Sequence, residues 1–215
     1  MNTVRTLNNI AIGVSGGGTT FEAIAKACAS GEVNLTITFL FADRVCGAID
    51  RAKRLGIKTI LRNPEETIDE FHQRIVGDVV SHRVDIIVLA GYLRCFPITS
   101  NDKYMVINSH PGAIPYFGGK GMYGIHVHTA VLDWINKTGW VHPYTYSTVH
   151  IASEVYDKGQ KLGIIALEVR KDHTSEMIAQ NLLPLEHQNY IQVLKDLSEG
   201  KIENMQYPDS FMKLF

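Results

Sequence analysis

The first half of the chain alternates short apolar runs with segments of helical periodicity, and this alternation limits the folds that it can adopt. Residues 10–14 form one apolar run and residues 35–41 a second, which is β-branched and apolar, and residues 58–61 are predicted as a third, shorter strand. The continuous apolar run at residues 86–90 is typical of a parallel strand covered by helices on both faces. Strand and helix units repeated at this spacing predict an α/β fold with a doubly wound, mostly parallel sheet.

The second half changes character after a further short strand at residues 105–108. Residues 147–151 and 164–169 are β-branched and apolar, which predicts two strands that are antiparallel or extend the sheet. Residues 177–197 have helical periodicity, with an interruption expected at Pro184 because proline lacks a backbone N–H. We therefore expect one domain that ends in an antiparallel extension and a long C-terminal helix.

Composition excludes several classes of protein. The formal net charge is −1, so the chain carries no overall basic field for nucleic acid. Three cysteines are too few and too scattered for a disulfide framework or a thiolate metal cluster. No apolar run approaches the roughly 18 residues that a membrane span needs, and the N-terminus lacks the pattern of a signal peptide. We expect a cytoplasmic protein with neither nucleic acid nor membrane as a partner.

A glycine-rich loop follows the first strand and precedes the first helical pattern. It contains Gly16, Gly17, Gly18, Thr19 and Thr20. Glycine lets an anion approach the backbone closely, and a helix N-terminus offers free N–H groups and the positive end of its dipole. The spacing matches neither the dinucleotide nor the Walker pattern. The loop is either a phosphate site or a tight turn, and three glycines exceed what a turn requires.

The strand at residues 105–108 leads into the tetrapeptide Asn108-Ser109-His110-Pro111. Residues two apart in a strand project to the same side, so we expect Asn108 and His110 to lie side by side. An amide next to an imidazole suits acyl-type chemistry, because the amide can hold an oxyanion while the imidazole stabilises it or moves a proton. The alternative is a structural, hydrogen-bonded pair.

Three further polar residues are candidates for a site. Asp157 lies in a loop, where aspartate is usually a turn residue. It gains a role only where the fold brings it to His110, because a carboxylate there would raise the imidazole pKa. His126 and His128 could suggest a metal hydrolase, which would bind metal and lose activity with a chelator. They lack a recognised ligand pattern, so we expect no metal site.

In chain order, these motifs resemble the glycinamide ribonucleotide formyltransferase family, folate-dependent enzymes of purine synthesis. The resemblance extends from about residue 9 to about residue 202, and no single motif decides it. The segments that carry it are residues 15–24, 88–94, 108–111, 147–150, 157–159 and 185–190. It implies a Rossmann-like formyltransferase fold, with a phosphate- and nucleotide-binding half at about 1–100 and a catalytic and folate-binding half at about 101–215.

The resemblance also implies roles for individual residues. The implied catalytic residues are Asn108, His110 and Asp157. The implied contacts to the phosphate and ribose of the substrate are Gly16, Gly17, Gly18, Thr19, Thr20 and Glu186. The implied folate contacts are Leu93, Arg94, Phe96, Ser153 and Glu154, with Arg94 and Phe96 acting mostly through their backbone.

The implied reaction is attack of the amine of glycinamide ribonucleotide on the formyl carbon of 10-formyltetrahydrofolate. Asn108 and a protonated His110 would stabilise the oxyanion, while Asp157 would favour the imidazolium and help to accept the amine proton. The folate is then a cosubstrate, with no tightly bound cofactor and no metal required. Both substrates are small molecules, and the protein could be a monomer or a homodimer.

Some positions depart from the family pattern. Thr20 stands where the family usually has Asn, residues 118–124 form a longer loop, and residues 134–146 and 160–163 are unusual. These departures leave alternatives open: a related formyltransferase acting on an amino-sugar nucleotide or on methionyl-tRNA, or a non-catalytic module that binds a phosphometabolite. The glycine loop argues against the first two, and the intact catalytic trio against the third.

Overall fold

The computed structural model describes residues 7–98, 103–201 and 204–214, in which strands and helices alternate. The strands are β1 (Asn9–Val14), β2 (Thr36–Ala42), β3 (Thr59–Leu61), β4 (Ile86–Leu89), β5 (Met105–His110), β6 (Tyr144–Ile151) and β7 (Lys161–Glu168). The helices are α1 (Thr19–Ser30), α2 (Gly47–Arg54), α3 (Ile68–Ser81), α4 (Ile125–Lys137), α5 (Ser175–Ser198) and α6 (Asp209–Met212). The strand order in the sheet is β3-β2-β1-β4-β5-β6-β7, which confirms the predicted fold class.

The chain divides into two compact units. The first unit contains the described residues up to Asn108 together with Leu194–Lys201. The second unit contains Ser109–Val193 and residues 204–214. Both β5 and α5 therefore supply residues to each unit. The single domain expected from the sequence, with halves that meet near residue 100, stays a prediction.

Parallel strands form the sheet of the first unit. β1 pairs in parallel with β2 and with β4, and β4 pairs in parallel with β5, so that Leu89 lies opposite Asn108. β1 is buried from Ile10 to Val14, and β4 is buried throughout. Side chains on both faces of these strands are thus removed from water, which explains why their sequences are continuously apolar. The loops that follow β1, β2 and β4 leave the sheet at its carboxyl edge.

An antiparallel hairpin and an aromatic core form the second unit. β6 and β7 pair from Tyr144 opposite Glu168 to Thr148 opposite Ile164 and beyond. β6 begins three residues earlier than predicted, and so does β7, because the backbone pairing extends to Tyr144 and to Lys161. The largest buried side chains of the core include Phe117, Tyr146, Tyr207 and Phe211. The predicted antiparallel extension is confirmed.

The expected interruption of the C-terminal helix at Pro184 is wrong. α5 runs unbroken for 24 residues with Pro184 inside it. Proline removes one backbone hydrogen bond, but Leu182, Asn189 and Tyr190 on this helix are buried, and their packing keeps the flanking turns helical. Across the described residues, no helix combines the length and the apolar character that crossing a membrane requires.

Candidate functional site

The glycine loop presents open backbone at the start of α1. Gly18 caps the helix with a left-handed φ of 75°, and no side chain caps it. A Cβ on Gly18 would lie 2.5 Å from the Ala48 side chain, so only glycine fits here. A Cβ on Gly16 or Gly17 would meet no atom within 4 Å. The first N–H groups of a helix have no partner within it, so the loop and helix together offer donors to an anion.

Contacts from α2 determine which way the loop faces. The Ala48 N–H donates to the Gly16 carbonyl at 3.2 Å, and Arg51 Nε donates to the Gly17 carbonyl at 2.8 Å. In a trans peptide the N–H points opposite to the carbonyl, so the N–H groups of Gly17 and Gly18 point away from α2. Arg51 also pairs with Glu22 of α1, which holds its positive charge beside the loop. The loop therefore presents N–H donors away from α2, and its use as a phosphate site stays a prediction.

The glycine loop is tied to the segment that follows β4. The Ser15 N–H donates to the Gly91 carbonyl at 3.1 Å, and the Leu93 N–H donates to Ser15 Oγ at 2.9 Å. Gly91 has a φ of 76°, which lets the chain turn there. Leu93 is left 58% exposed despite its apolar side chain. The first unit thus brings one implied folate residue next to the implied phosphate loop.

The other two implied folate residues of the first unit are fixed by neighbouring side chains. Arg94 Nε lies 3.0 Å from Oδ2 of the buried Asp43, which Arg44 also contacts at 2.7 Å. Burial alone would raise the pKa of Asp43, but hydrogen bonds from Arg44, Ser15 and Arg94 lower it, so the carboxylate stays ionised. Phe96 is 3% exposed, and its ring packs against Phe41 and His72.

His110, the last residue of β5, donates one hydrogen bond and faces a carboxylate with its other ring nitrogen. It is 3% exposed, and Nε2 lies 2.8 Å from the Phe117 carbonyl, so this nitrogen donates. Nδ1 faces Oδ2 of Asp157 at 3.7 Å. The structure therefore places the predicted imidazole next to the predicted carboxylate. Asn108 lies two residues earlier in β5 and is half-buried.

Close backbone packing positions the Asp157 carboxylate. Asp157 is buried with a left-handed φ of 54°, and Oδ2 accepts the Gly119 N–H at 2.8 Å. A Cβ on Gly118 would lie 2.7 Å from the Asp157 Cβ, and one on Gly159 would overlap the Ile151 carbonyl oxygen. The glycines on either side are thus needed for this approach. Backbone strain in a buried, hydrogen-bonded residue is common at functional sites.

The charge state of the pair differs from the expectation. Burial lowers the pKa of His110, and this outweighs Asp157 and the Phe117 carbonyl, which raise it. Burial alone would raise the pKa of Asp157, but His150, His110 and the Gly119 N–H lower it. At neutral pH the pair therefore holds an ionised carboxylate and a neutral imidazole. Asp157 raises the His110 pKa as predicted, but burial, which the sequence does not show, lowers that pKa by more.

His150 is the residue that motif reasoning undervalued. It lies in β6, with Nε2 3.5 Å from Asp157 Oδ1 and Nδ1 3.0 Å from the Ile151 carbonyl. Asp157 is thus flanked by two buried imidazoles. The signal in the sequence was the position of His150 at the end of a β-branched strand, immediately before the Asp157 loop.

The remaining predicted residues of the second unit are more dispersed. Glu186 is half-buried on α5, and burial raises its pKa to about 7. Ser153 Oγ donates to the Val155 carbonyl at 2.7 Å, and Glu154 is exposed. The two carboxylates and the hydroxyl remain candidates for ligand contacts, with Ser153 and Glu154 adjacent in one loop and Glu186 on α5.

His126 and His128 do not converge on a common point. Both are in α4, where residues two apart project to opposite sides. His126 is exposed, whereas His128 is buried and burial lowers its pKa to about 4. Within residues 7–98, 103–201 and 204–214, no group of three or more His, Cys, Asp or Glu side chains is arranged to hold a metal ion.

Comparison with known proteins places these features in a family context. Residues 8–194 match the family described as formyl transferase. The chain is 32% identical to the chloroplastic phosphoribosylglycinamide formyltransferase of Arabidopsis thaliana, over 94% of this chain and 73% of the relative. It is 30% identical to phosphoribosylglycinamide formyltransferase of Bacillus subtilis, over 89% of this chain and 95% of the relative. In fold it is similar to the crystal structure of glycinamide ribonucleotide transformylase 1 from Symbiobacterium toebii, with a TM-score of 0.80 and 22% identity over 94% of this chain and 95% of that one.

Proposed function

The chain belongs to the formyltransferase family, and on that premise we propose that it transfers the formyl group of 10-formyltetrahydrofolate to the amine of glycinamide ribonucleotide, in de novo purine synthesis. The observation that carries the proposal is the buried His110–Asp157 pair, with 3.7 Å between Nδ1 and Oδ2. A neutral base beside an ionised carboxylate is what an attacking amine needs, since the amine must lose a proton as it becomes an amide.

The lowered pKa of His110 suits it to accept this proton. As the amine nitrogen bonds to the formyl carbon, the carbonyl oxygen becomes an oxyanion and the nitrogen becomes acidic. The proton passes to Nδ1 by way of Asp157, and the imidazolium that forms lies between a carboxylate and the Phe117 carbonyl. Collapse of the intermediate breaks the bond between the formyl carbon and N10 of the folate. The proton that His110 accepted is then transferred to N10. His110 thus begins and ends the cycle neutral.

Asn108 is proposed as the donor to the oxyanion. It precedes His110 by two residues in β5, and such residues project to one side of a strand. A side-chain amide aimed at a developing oxyanion typically contributes about 100- to 1,000-fold in rate. No covalent enzyme intermediate arises in this scheme, and we propose that no metal takes part.

Substrate binding is assigned to separate groups. Gly16, Gly17, Gly18, Thr19 and Thr20 would hold the phosphate through backbone N–H groups and the α1 dipole. Glu186 would accept hydrogen bonds from the ribose hydroxyls, which would stabilise the charged form that burial disfavours. The proposed folate contacts are Leu93, Arg94, Phe96, Ser153 and Glu154. The exposed side chain of Leu93 supports a contact with a flat ring.

We also propose that the protein works in the cytoplasm on small molecules, as a monomer or homodimer, without nucleic acid or membrane as a partner. The net charge of −1 supports the absence of a nucleic-acid partner. Fractionation of the source cells tests the location, since the Arabidopsis thaliana relative is named as chloroplastic. Light scattering of the purified protein determines the oligomeric state.

A direct assay tests the reaction. The purified protein is mixed with 10-formyltetrahydrofolate and either glycinamide ribonucleotide or an amino-sugar nucleotide, and deformylated folate is followed. We expect turnover with the ribonucleotide, unchanged after dialysis against a chelator. His110→Ala should lose at least about 100-fold in kcat, whereas His126→Ala, at an exposed histidine of α4, should not. Turnover with the sugar nucleotide alone would refute the proposed acceptor.

A further inference from the structure

One backbone segment contacts both members of the His110–Asp157 pair. Residues 112–119 follow β5, and within them the Phe117 carbonyl meets His110 while the Gly119 N–H meets Asp157. Gly112, at the start of the segment, packs against the imidazole, since a Cβ there would lie 3.4 Å from ring atoms of His110. The geometry of the pair therefore depends on where this segment is held.

Two buried hydroxyls clamp the first three residues of the segment. The Ile114 N–H donates to Tyr207 Oη at 2.7 Å, Tyr207 Oη and Thr148 Oγ1 are 2.7 Å apart, and Thr148 Oγ1 donates to the Gly112 carbonyl at 2.8 Å. Each hydroxyl has one hydrogen. Since Thr148 gives its hydrogen to Gly112, Tyr207 must donate to Thr148. The three bonds then run in one direction, from the Ile114 amide to the Gly112 carbonyl.

A tight turn connects the clamped residues 112–114 to the Phe117 carbonyl that contacts His110. The Phe117 N–H donates to the Ala113 carbonyl at 2.8 Å, and the Gly118 N–H donates to the Pro115 carbonyl at 3.2 Å. Ala113 lies between the two clamped residues. Movement of residues 112–114 would therefore carry the Phe117 carbonyl with it, away from His110 Nε2.

Tyr207 reaches this position from the C-terminal segment, beyond residues 8–194 that match the family. It is 3% exposed, and its ring packs 5.0 Å from that of Tyr146 and 5.4 Å from that of Phe211. The Met205 N–H donates to the Lys161 carbonyl of β7 at 2.9 Å. Burial raises the pKa of Tyr207 to about 12, so the hydroxyl keeps its hydrogen at working pH. The surrounding packing therefore fixes the position of the Tyr207 hydroxyl.

We propose that Tyr207 and Thr148 are positioning residues for the His110–Asp157 pair, acting through the hydrogen-bonded clamp on residues 112–114. The expected kinetic effect rests on the proposed function, whereas the effect on His110 itself does not. The C-terminal segment thereby contributes to the reacting group without touching it.

Tyr207→Phe tests the clamp, because it removes the hydroxyl and leaves the ring. We expect kcat to fall about 10- to 100-fold, since small misplacements of catalytic groups have effects of this size. KM for both substrates should stay within about twofold, because no substrate contact is removed. The His110 pKa, followed by NMR, should fall below its wild-type value as the Phe117 carbonyl moves away.

The matched control is Tyr146→Phe. Tyr146 is a buried tyrosine in the same aromatic cluster, and its hydroxyl pairs with His142 Nε2 at 2.7 Å instead of with the clamp. It should lower Tm by a similar amount while kcat and the His110 titration stay as in the wild type. Equal kcat and equal His110 titration in the two variants would overturn the proposal.

Thr148 gives a second test that does not depend on the folding of the Tyr207 variant. Thr148→Val keeps the shape without the hydroxyl and should reproduce the loss, and Thr148→Ser should restore most of it. Loss of kcat in both to the same extent would contradict a role for the hydroxyl. If the wild-type protein transfers no formyl group, the proposed function fails, but the NMR titration of His110 still decides the clamp.

Discussion

The two compact units present their candidate ligand groups in opposite ways. In the first unit the groups are backbone N–H donors on an exposed glycine loop, turned outward because α2 engages the carbonyls. In the second unit they are ionisable side chains buried within the protein, with His110 and Asp157 both less than a tenth exposed. The exposed backbone donors of the first unit require no burial of charge, and they do not titrate. The second forces a carboxylate and imidazoles out of water and sets their charge by proximity.

The two kinds of group should act at different stages of the reaction. Outward N–H groups bind an anion equally in the ground and transition states, so they should govern affinity. Buried ionisable groups change charge during the reaction, so they should govern rate. Variants of the first unit should therefore change KM, and variants of the second should change kcat. The same kinetic signature in variants of both units would contradict this division.

The largest effect is expected in the second unit from Asp157→Asn. The amide is isosteric but neutral, so the imidazolium that forms in the reaction loses its counter-charge, and kcat should fall about 100- to 1,000-fold. KM for the ribonucleotide should change little. Asp172→Asn is the matched control, because it removes one negative charge from the same unit at an exposed position. Steady-state kinetics measures both, and a comparable loss in the control would contradict a local role for Asp157.

In the first unit the corresponding variant is Gly16→Ala. The added methyl meets no protein atom within 4 Å, so the fold should accept it, and in the proposed site it would crowd the bound phosphate. KM for the ribonucleotide should rise about 10- to 100-fold, the equivalent of losing a hydrogen bond to a charged group, at unchanged kcat. Gly77→Ala in α3 also has open space and should leave KM unchanged. A fall in kcat without a change in KM would break the division between the units.

Much of the first unit could be predicted from the sequence because its signals are local. The strands are buried on both faces, so β1 from Ile10 onward and all of β4 are apolar, and the glycines of the loop are adjacent in the chain. The sequence does not show which way the loop faces. Ala48 and Arg51 determine that direction, and they belong to a different helix.

The second unit could be predicted only as a set of separate motifs. Asp157 lies next to His110 because the chain approaches closely at Gly118 and Gly159. The sequence shows that these residues are glycines but does not show which atoms they contact. The direction of the His110 pKa depends on burial, a property of the folded chain. The continuity of α5 through Pro184 likewise depends on packing that overrides a local rule. Residue identity was predictable there, and electrostatics was not.

A smaller effect concerns how the glycine loop is built. Gly18 and Gly31 lie at the two ends of α1, with φ values of 75° and 79°, but only Gly18 has Ala48 against it. Gly31→Ala should cost about 1–2 kcal/mol for the left-handed backbone alone. Gly18→Ala should cost about 1–3 kcal/mol more because of the added overlap. Urea unfolding measures both, and equal losses would show that the loop does not pack on α2 as described.

The smallest expected effect is a shift in the pH dependence of kcat, and it distinguishes the two units most directly. A neutral His110 is required as the base, so kcat should rise as pH rises through its pKa. Burial lowers that pKa from the ordinary value of 6.5, so the acid limb of kcat should have its midpoint below pH 6.5. Asp157 and the Phe117 carbonyl raise the His110 pKa and His150 lowers it, and His128 of α4 also interacts electrostatically with His110.

Variants of the two units should differ in how they shift the midpoint of the acid limb of the kcat–pH profile. Asp157→Asn removes a group that raises the His110 pKa, so an NMR titration of the ring should show a midpoint lower than in the wild type. Gly16→Ala changes no charge near the ring, and its kcat limb should coincide with that of the wild type. A wild-type midpoint at or above pH 6.5 would mean that the carboxylate dominates burial, and His110 would then start the reaction as an imidazolium that stabilises the oxyanion instead of accepting the amine proton.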